Sequence, residues 1–162
     1  MKRKFCAILL LMGLLLMCLT ACGKKKQQNL EGTCAEILDK VYANAELTPE
    51  FRESLEYFEA VTIDAESAEY LIGTADVKYT DSIFSAPMMN AVAYQCILLR
   101  VAQGQDMEQV KKTIEEHADP GKWICVQAES TIVENIGDVV LFIMADQQTA
   151  DAVAVSFKSL AE

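Results

Sequence analysis

The 162-residue sequence holds one histidine, one tryptophan, three prolines and seven glycines. A single histidine excludes a histidine-based catalytic zinc site, which draws on two or three of them. It also leaves no specific Ser-His-Asp or Cys-His arrangement to assemble. Basic residues are scarce, 14 Lys+Arg against 24 Asp+Glu, for a net charge of −10. A nucleic-acid binder needs a basic face to replace phosphate counterions, so that class is excluded. The phosphate-cradling G-x-x-x-x-G-K-[ST] loop, the dinucleotide G-x-G-x-x-G and the calcium loop D-x-[DN]-x-[DN]-G are all missing. Hydrophobic residues make up 52%, which is neither a disordered nor a fibrous composition.

The first residues are informative. Lys2, Arg3 and Lys4 form a basic start, and Phe5 through Leu19 run apolar without a charge. That run falls short of the roughly 18 residues a permanent span requires, so it reads as a signal peptide. It ends in Leu19-Thr20-Ala21-Cys22. These four residues resemble the lipobox of bacterial lipoproteins: Leu, two small residues, then Cys. The resemblance implies cleavage between Ala21 and Cys22 and a diacylglyceryl thioether on the Cys22 sulfur. It also implies a lipid-anchored protein facing the extracytoplasmic side. Two acyl chains suffice for stable anchoring, where one is marginal.

Three segments follow: a signal peptide over 1–21, a polar tether over 22–31, and a single domain over 32–162. The tether carries Lys24, Lys25 and Lys26, which anionic headgroups attract at about 1 kcal/mol each. Residues 27–162 hold 8 basic and 24 acidic residues, a net of −16. The body is therefore expected to stand off an anionic membrane while its tether is drawn to it.

The cysteines supply no framework. Cys6 and Cys18 leave with the leader and Cys22 takes the lipid. Cys34, Cys96 and Cys125 remain, without a C-x-x-C pair for zinc or redox work. Cys96 and Cys125 sit in apolar runs and read as buried small hydrophobes. Cys34 reads as the exposed one, in a first helical turn where the dipole lowers a thiol pKa, a weak redox candidate. One disulfide among the three is open in this oxidising location.

Along the body, Thr33-Cys34-Ala35-Glu36 is a capping box, opening a helix with Ile37, Leu38, Val41 and Tyr42 on one face. Thr48-Pro49 starts a second helix with Phe51, Leu55 and Phe58 in helical register. Ala60 to Asp64 reads as a strand, and Ala65 to Ile72 as a helix closed by Gly73. Residues 74–87 show weak periodicity and read as an irregular connection. Met88 to Ala102 reads as the strongest strand, apolar on both faces and therefore central.

Asp106 caps a helix with Met107, Val110, Ile114 and His117 on its stripe. Asp119-Pro120 opens either a short helix to about Ala128, burying Trp123 and Val126, or an edge strand over Trp123 to Val126. Thr131–Glu134 and Val139–Met144 read as two strands of a hairpin around Asn135-Ile136-Gly137-Asp138, with Gly137 supplying positive φ. Asp146 or Thr149 caps a last helix carrying Ala150, Val153, Phe157 and Leu160. The order predicts an α+β fold, an antiparallel sheet with helices packed on it.

Candidate chemistry is thin. His117 reads as a packed or capping residue near a helix C-terminus. Glu50, Glu53 and Glu56, like Glu115 and Glu116, read as solvated faces. A paired-acid hydrolase would need two carboxylates set across a cleft, and weak divalent-cation binding would need clustered oxygens. The adjacent Met88 and Met89 read as core filling, with an adaptable contact surface as the alternative. No cofactor motif occurs.

Three stretches carry a further resemblance: Ala86-Pro87-Met88-Met89-Asn90 before a long apolar strand, Gly104 and the helix after it, and Ile136-Gly137-Asp138-Val139-Val140 before the last strand and helix. In these the body resembles a family of uncharacterised lipoproteins of Gram-positive bacteria. That resemblance implies an α+β lipoprotein on the outer membrane face and transfers no site residue. The expectation is a non-enzymatic binding or accessory module serving an envelope protein or small ligand.

Overall fold

The computed structural model describes residues 29–89 and 92–161. Two strands govern the architecture, β3 (Gln95–Val101) and β5 (Val139–Ala145), which are buried along nearly their whole length. Cys96, Leu98, Leu141 and Ile143 point to one face of the sheet, and Ile97, Leu99, Val140, Phe142 and Met144 to the other. A sheet apolar on both faces needs a cover on each. Helices α1 (Cys34–Asn44) and α5 (Gln147–Ser159) supply the first through Ile37, Leu38, Val41, Val153 and Phe157. Helices α3 (Ala68–Ile72) and α4 (Met107–His117) supply the second through Ile72, Val110 and Ile114.

The five strands are all antiparallel neighbours in the order β1-β2-β3-β5-β4, with β1 at Phe58–Val61, β2 at Tyr79–Pro87 and β4 at Ser130–Ile136. Strands β3 and β4 run parallel with β5 between them, so α4 is the crossover of a split β-α-β unit. The expected α+β fold is present: one small domain, an antiparallel sheet with packed helices. The caps match the sequence. Thr33 and Glu36 close a capping box, and Thr48, Asp106 and Asp146 accept from the backbone of their helices' first turns. Helix α2 (Pro49–Ser54) is short and runs into a 3₁₀ turn over Leu55–Tyr57.

Several expectations are corrected. Residues 79–87 are a nine-residue strand, not an irregular connection. Ser82 and Ser85 disguise it by placing polar atoms in the interior, where Ser82 Oγ accepts from Ile63 N–H at 3.0 Å and Ser85 Oγ from Tyr42 O–H at 3.0 Å. The strand expected from Met88 begins only at Gln95; Met88, Met89 and Val92–Tyr94 lie outside any strand. The first strand spans Phe58–Val61 rather than 60–64, and the helix expected from Ala65 begins at Ala68. Residues 120–128 are neither helix nor strand, and Val126 is exposed rather than buried. The hairpin turn is a tight Gly137-Asp138, since Ile136 already pairs with Val139.

Gly73 ends α3 at φ +88, and a Cβ there would lie 2.2 Å from the His117 carbonyl oxygen. Gly104 has nearly the same φ, +92, with nothing within 4 Å of a built Cβ. Alanine costs about 1–2 kcal/mol of left-handed strain at either site, and the clash at Gly73 adds about 1–3 kcal/mol. In urea unfolding, Gly73→Ala should therefore be the less stable variant by at least about 1 kcal/mol; equal stabilities would refute the close packing of α3 on the end of α4.

Candidate functional site

Ala21 and Cys22, the expected cleavage and lipidation residues, lie outside the described residues. From Asn29 the chain leads into α1. Arg100, near the end of β3, holds it. Its Nη1 lies 2.8 Å from Asp138 Oδ1 in the β4–β5 turn. Its Nη2 donates to the Leu30 carbonyl at 3.1 Å and the Gly32 carbonyl at 2.6 Å. Asp81 on β2 accepts the Cys34 N–H at 2.6 Å. Gly137, at φ +56, lets Asn29 approach so closely that a Cβ would stand 2.8 Å from the Asn29 Cα. An open cleft of about 860 Å³ lies here, between Asn29–Glu31, the Ala102–Gln105 connection and the hairpin turn.

The cysteines reverse two expectations. Cys34 is fully buried, not exposed. Burial, reinforced by the Asp81 carboxylate, pushes its thiol up to about 12 despite the helix N-terminus, so the redox assignment does not hold. Cys125 is exposed, not buried, and holds a positive φ of 66. Cys96 is buried as expected, and burial raises it to about 12. All three are free thiols. Cys96 adjoins a buried hydroxyl group formed by Tyr42 and Tyr94, whose oxygens lie 2.8 Å apart, and burial raises both phenols well above their ordinary range.

The opposite end of the sheet carries a different surface. Of nine exposed large apolar side chains among the described residues, seven lie in or beside its loops: Tyr57, Tyr70, Met88, Met89, Val92, Ile124 and Val126. Register places them. Phe58 pairs with Pro87, and Met88 N–H donates to the Tyr57 carbonyl at 3.3 Å. Met88 and Met89 are 67% and 76% exposed. The expectation of core filling is therefore overturned, and the alternative, an adaptable apolar surface, fits. Beside them Glu50, Glu53, Glu56 and Tyr57 line a shallow hollow of about 510 Å³.

On the second face of the same end, the Lys122 Nζ sits 4.8 Å from the Tyr70 ring centroid and 5.6 Å from that of Trp123. It bonds Gln95 Oε1, and Gln95 Nε2 donates to the Leu71 carbonyl at 3.2 Å. Burial lowers this amine to about 8, with Asp119 opposing. His117 is exposed at the end of α4, its Nδ1 2.8 Å from the Thr113 carbonyl oxygen. Glu115 and Glu116 are exposed.

Among the described residues no three His, Cys, Asp or Glu side chains converge to hold a metal ion, and no helix is long and apolar enough to cross a membrane. Sequence reasoning missed Tyr57, Lys122 and Arg100. Only Arg100 left a signal: a lone charge inside a central apolar strand needs a partner. Comparison of the chain with protein-family models, with curated proteins and with solved structures finds no match.

Two measurements check this description. In the folded mature protein a thiol reagent should modify Cys125 alone, with Cys34 and Cys96 reacting only after denaturation; early reaction of Cys34 would contradict its burial. Lys122 gives a pH signature. Its amine keeps a proton up to 10.5 when unexposed to the fold and only to about 8 when folded. Across that window the unfolded chain binds the extra proton, so stability rises with pH, and below it the contribution is flat. The stability of the wild type relative to Lys122→Met should rise through this window in urea unfolding, and a fall would contradict the assignment.

Proposed function

We propose that this chain is a lipid-anchored extracytoplasmic protein that acts as a non-enzymatic binding or accessory module of the cell envelope. The lipobox resemblance at Leu19–Cys22 supports the anchor, and the resemblance of the body to uncharacterised Gram-positive lipoproteins agrees with it. The observation that carries the reading is the placement of two features at opposite ends of the sheet. Arg100 and Asp138 hold the chain where it arrives from the tether. Tyr57, Met88, Met89 and Val92 are exposed at the far end. From Arg100 to Gln95, which pair with Val139 and Met144, five residues of strand separate the ends by about 17 Å.

Large apolar side chains exposed close together mark an interaction surface. Methionine suits one, since its unbranched, polarizable side chain adapts to a partner's relief. The net −16 of residues 27–162 disfavours contact of the body with an anionic bilayer, leaving the far end free for a partner.

Metabolic labelling with an alkyne fatty acid tests the anchor. Wild-type protein should carry the label and fractionate with membranes, and Cys22→Ser should lose both. Persistence of label in Cys22→Ser, or an unlabelled wild type with a bare thiol, would overturn the reading.

A further inference from the structure

We infer that the far end of the sheet is a docking site for a cationic amphipathic segment of another polypeptide, one that presents Lys or Arg beside apolar side chains. The inference rests on the binding-module reading and names the chemistry of its partner.

Three observations converge. Tyr57, Met88, Met89 and Val92 expose more than half of their surfaces, and the Met88 N–H bond to the Tyr57 carbonyl ties the turn after β2 to the 3₁₀ turn before β1. The Tyr57 and Met88 segments are therefore neighbours at this end, each presenting exposed apolar side chains. Glu50, Glu53 and Glu56 line the hollow that Tyr57 completes. All three are exposed, and none of them is in an ion pair among the described residues.

The i, i+3, i+6 spacing over α2 and the following 3₁₀ turn gathers three like charges on one side, an arrangement that is self-repulsive without a counter-charge. A partner that seats apolar side chains on the methionines and cations over the glutamates satisfies both halves of the surface. Electrostatic complementarity of this kind steers encounter and rejects wrong partners, and an amphipathic helix laid on a methionine-bearing surface is a recurring recognition mode.

The same charges disfavour the other occupants. A second copy docking through this face in a two-fold contact would bring its own glutamates against these. An anionic lipid surface is repelled by them as well.

The test is hydrogen exchange on the mature lipidated protein in zwitterionic nanodiscs, titrated with a synthetic helical peptide bearing Leu on one face and Lys on the other. Protection should appear at residues 55–58 and 88–89. It should weaken with added salt, and it should need about tenfold or more peptide in Met88→Ser/Met89→Ser and in Glu53→Gln/Glu56→Gln. A peptide in which Ser replaces Leu should protect far less.

Equal protection by that Ser peptide, equal binding by either double variant, or protection elsewhere would overturn the inference. So would protection of the same residues by rising protein concentration alone, which would indicate a second copy. Protection by anionic vesicles alone would indicate a membrane and would overturn it too. Lipid labelling at Cys22 is read separately, so failure here leaves the anchored-module reading standing or falling on its own result.

Discussion

The structure depends on the pairing of β3 with β5. Six register pairs from Gln95↔Met144 to Arg100↔Val139 join two strands that are apolar on both sides. Such strands cannot face water on either side. Each face must receive helices, which sends α1 and α5 to one side and α3 and α4 to the other. With both faces covered, solvent reaches the sheet at its two ends and at its edge strands. The loops at the ends are thus the surfaces left for function, and each end has acquired its own chemistry.

The near end is polar and tied down. Arg100 would be an unpaired charge at the border of the core were it not for Asp138 and the carbonyls of Leu30 and Gly32. Removing one partner of such a group leaves the others unsatisfied, which is costly. This single side chain joins the central strand, the hairpin turn and the incoming chain. The far end exposes large apolar groups at Met88, Met89 and Val92, while Lys122 rests near the rings of Tyr70 and Trp123 on the adjoining face.

Much of this was legible in sequence where local chemistry decides the outcome. The capping residues Thr33, Thr48, Asp106 and Asp146 gave away helix starts because their side chains act within three residues of themselves. The double-sided apolar runs announced central strands. Strand β2 stayed hidden because its interior serines are justified only by Ile63 and Tyr42, far away in sequence. Cys34 misled for a similar reason. Its helix position suggested an exposed, acidified thiol, but Asp81, 47 residues on, and the packing of α1 on the sheet decide its state. Met88 and Met89 looked like core because composition cannot tell a buried apolar turn from an exposed one. The proposed anchor residue Cys22 rests on four adjacent residues, whereas the proposed docking surface left no local sign, since Tyr57 and Met88 meet only through the pairing of β1 with β2.

The central claim is that the chain's entry at Asn29, where the proposed lipid anchor would be joined, and the exposed apolar residues lie at opposite ends of the sheet. Energy transfer from a dye on the protein to acceptor lipids measures this directly on the mature protein in anionic vesicles. Cys125, the exposed thiol of the far end, carries the dye in one sample. In the other, a Gln103→Cys/Cys125→Ser variant carries it beside the chain's entry. Transfer should be markedly stronger from position 103 than from position 125. Equal transfer, or stronger transfer from 125, would contradict the account.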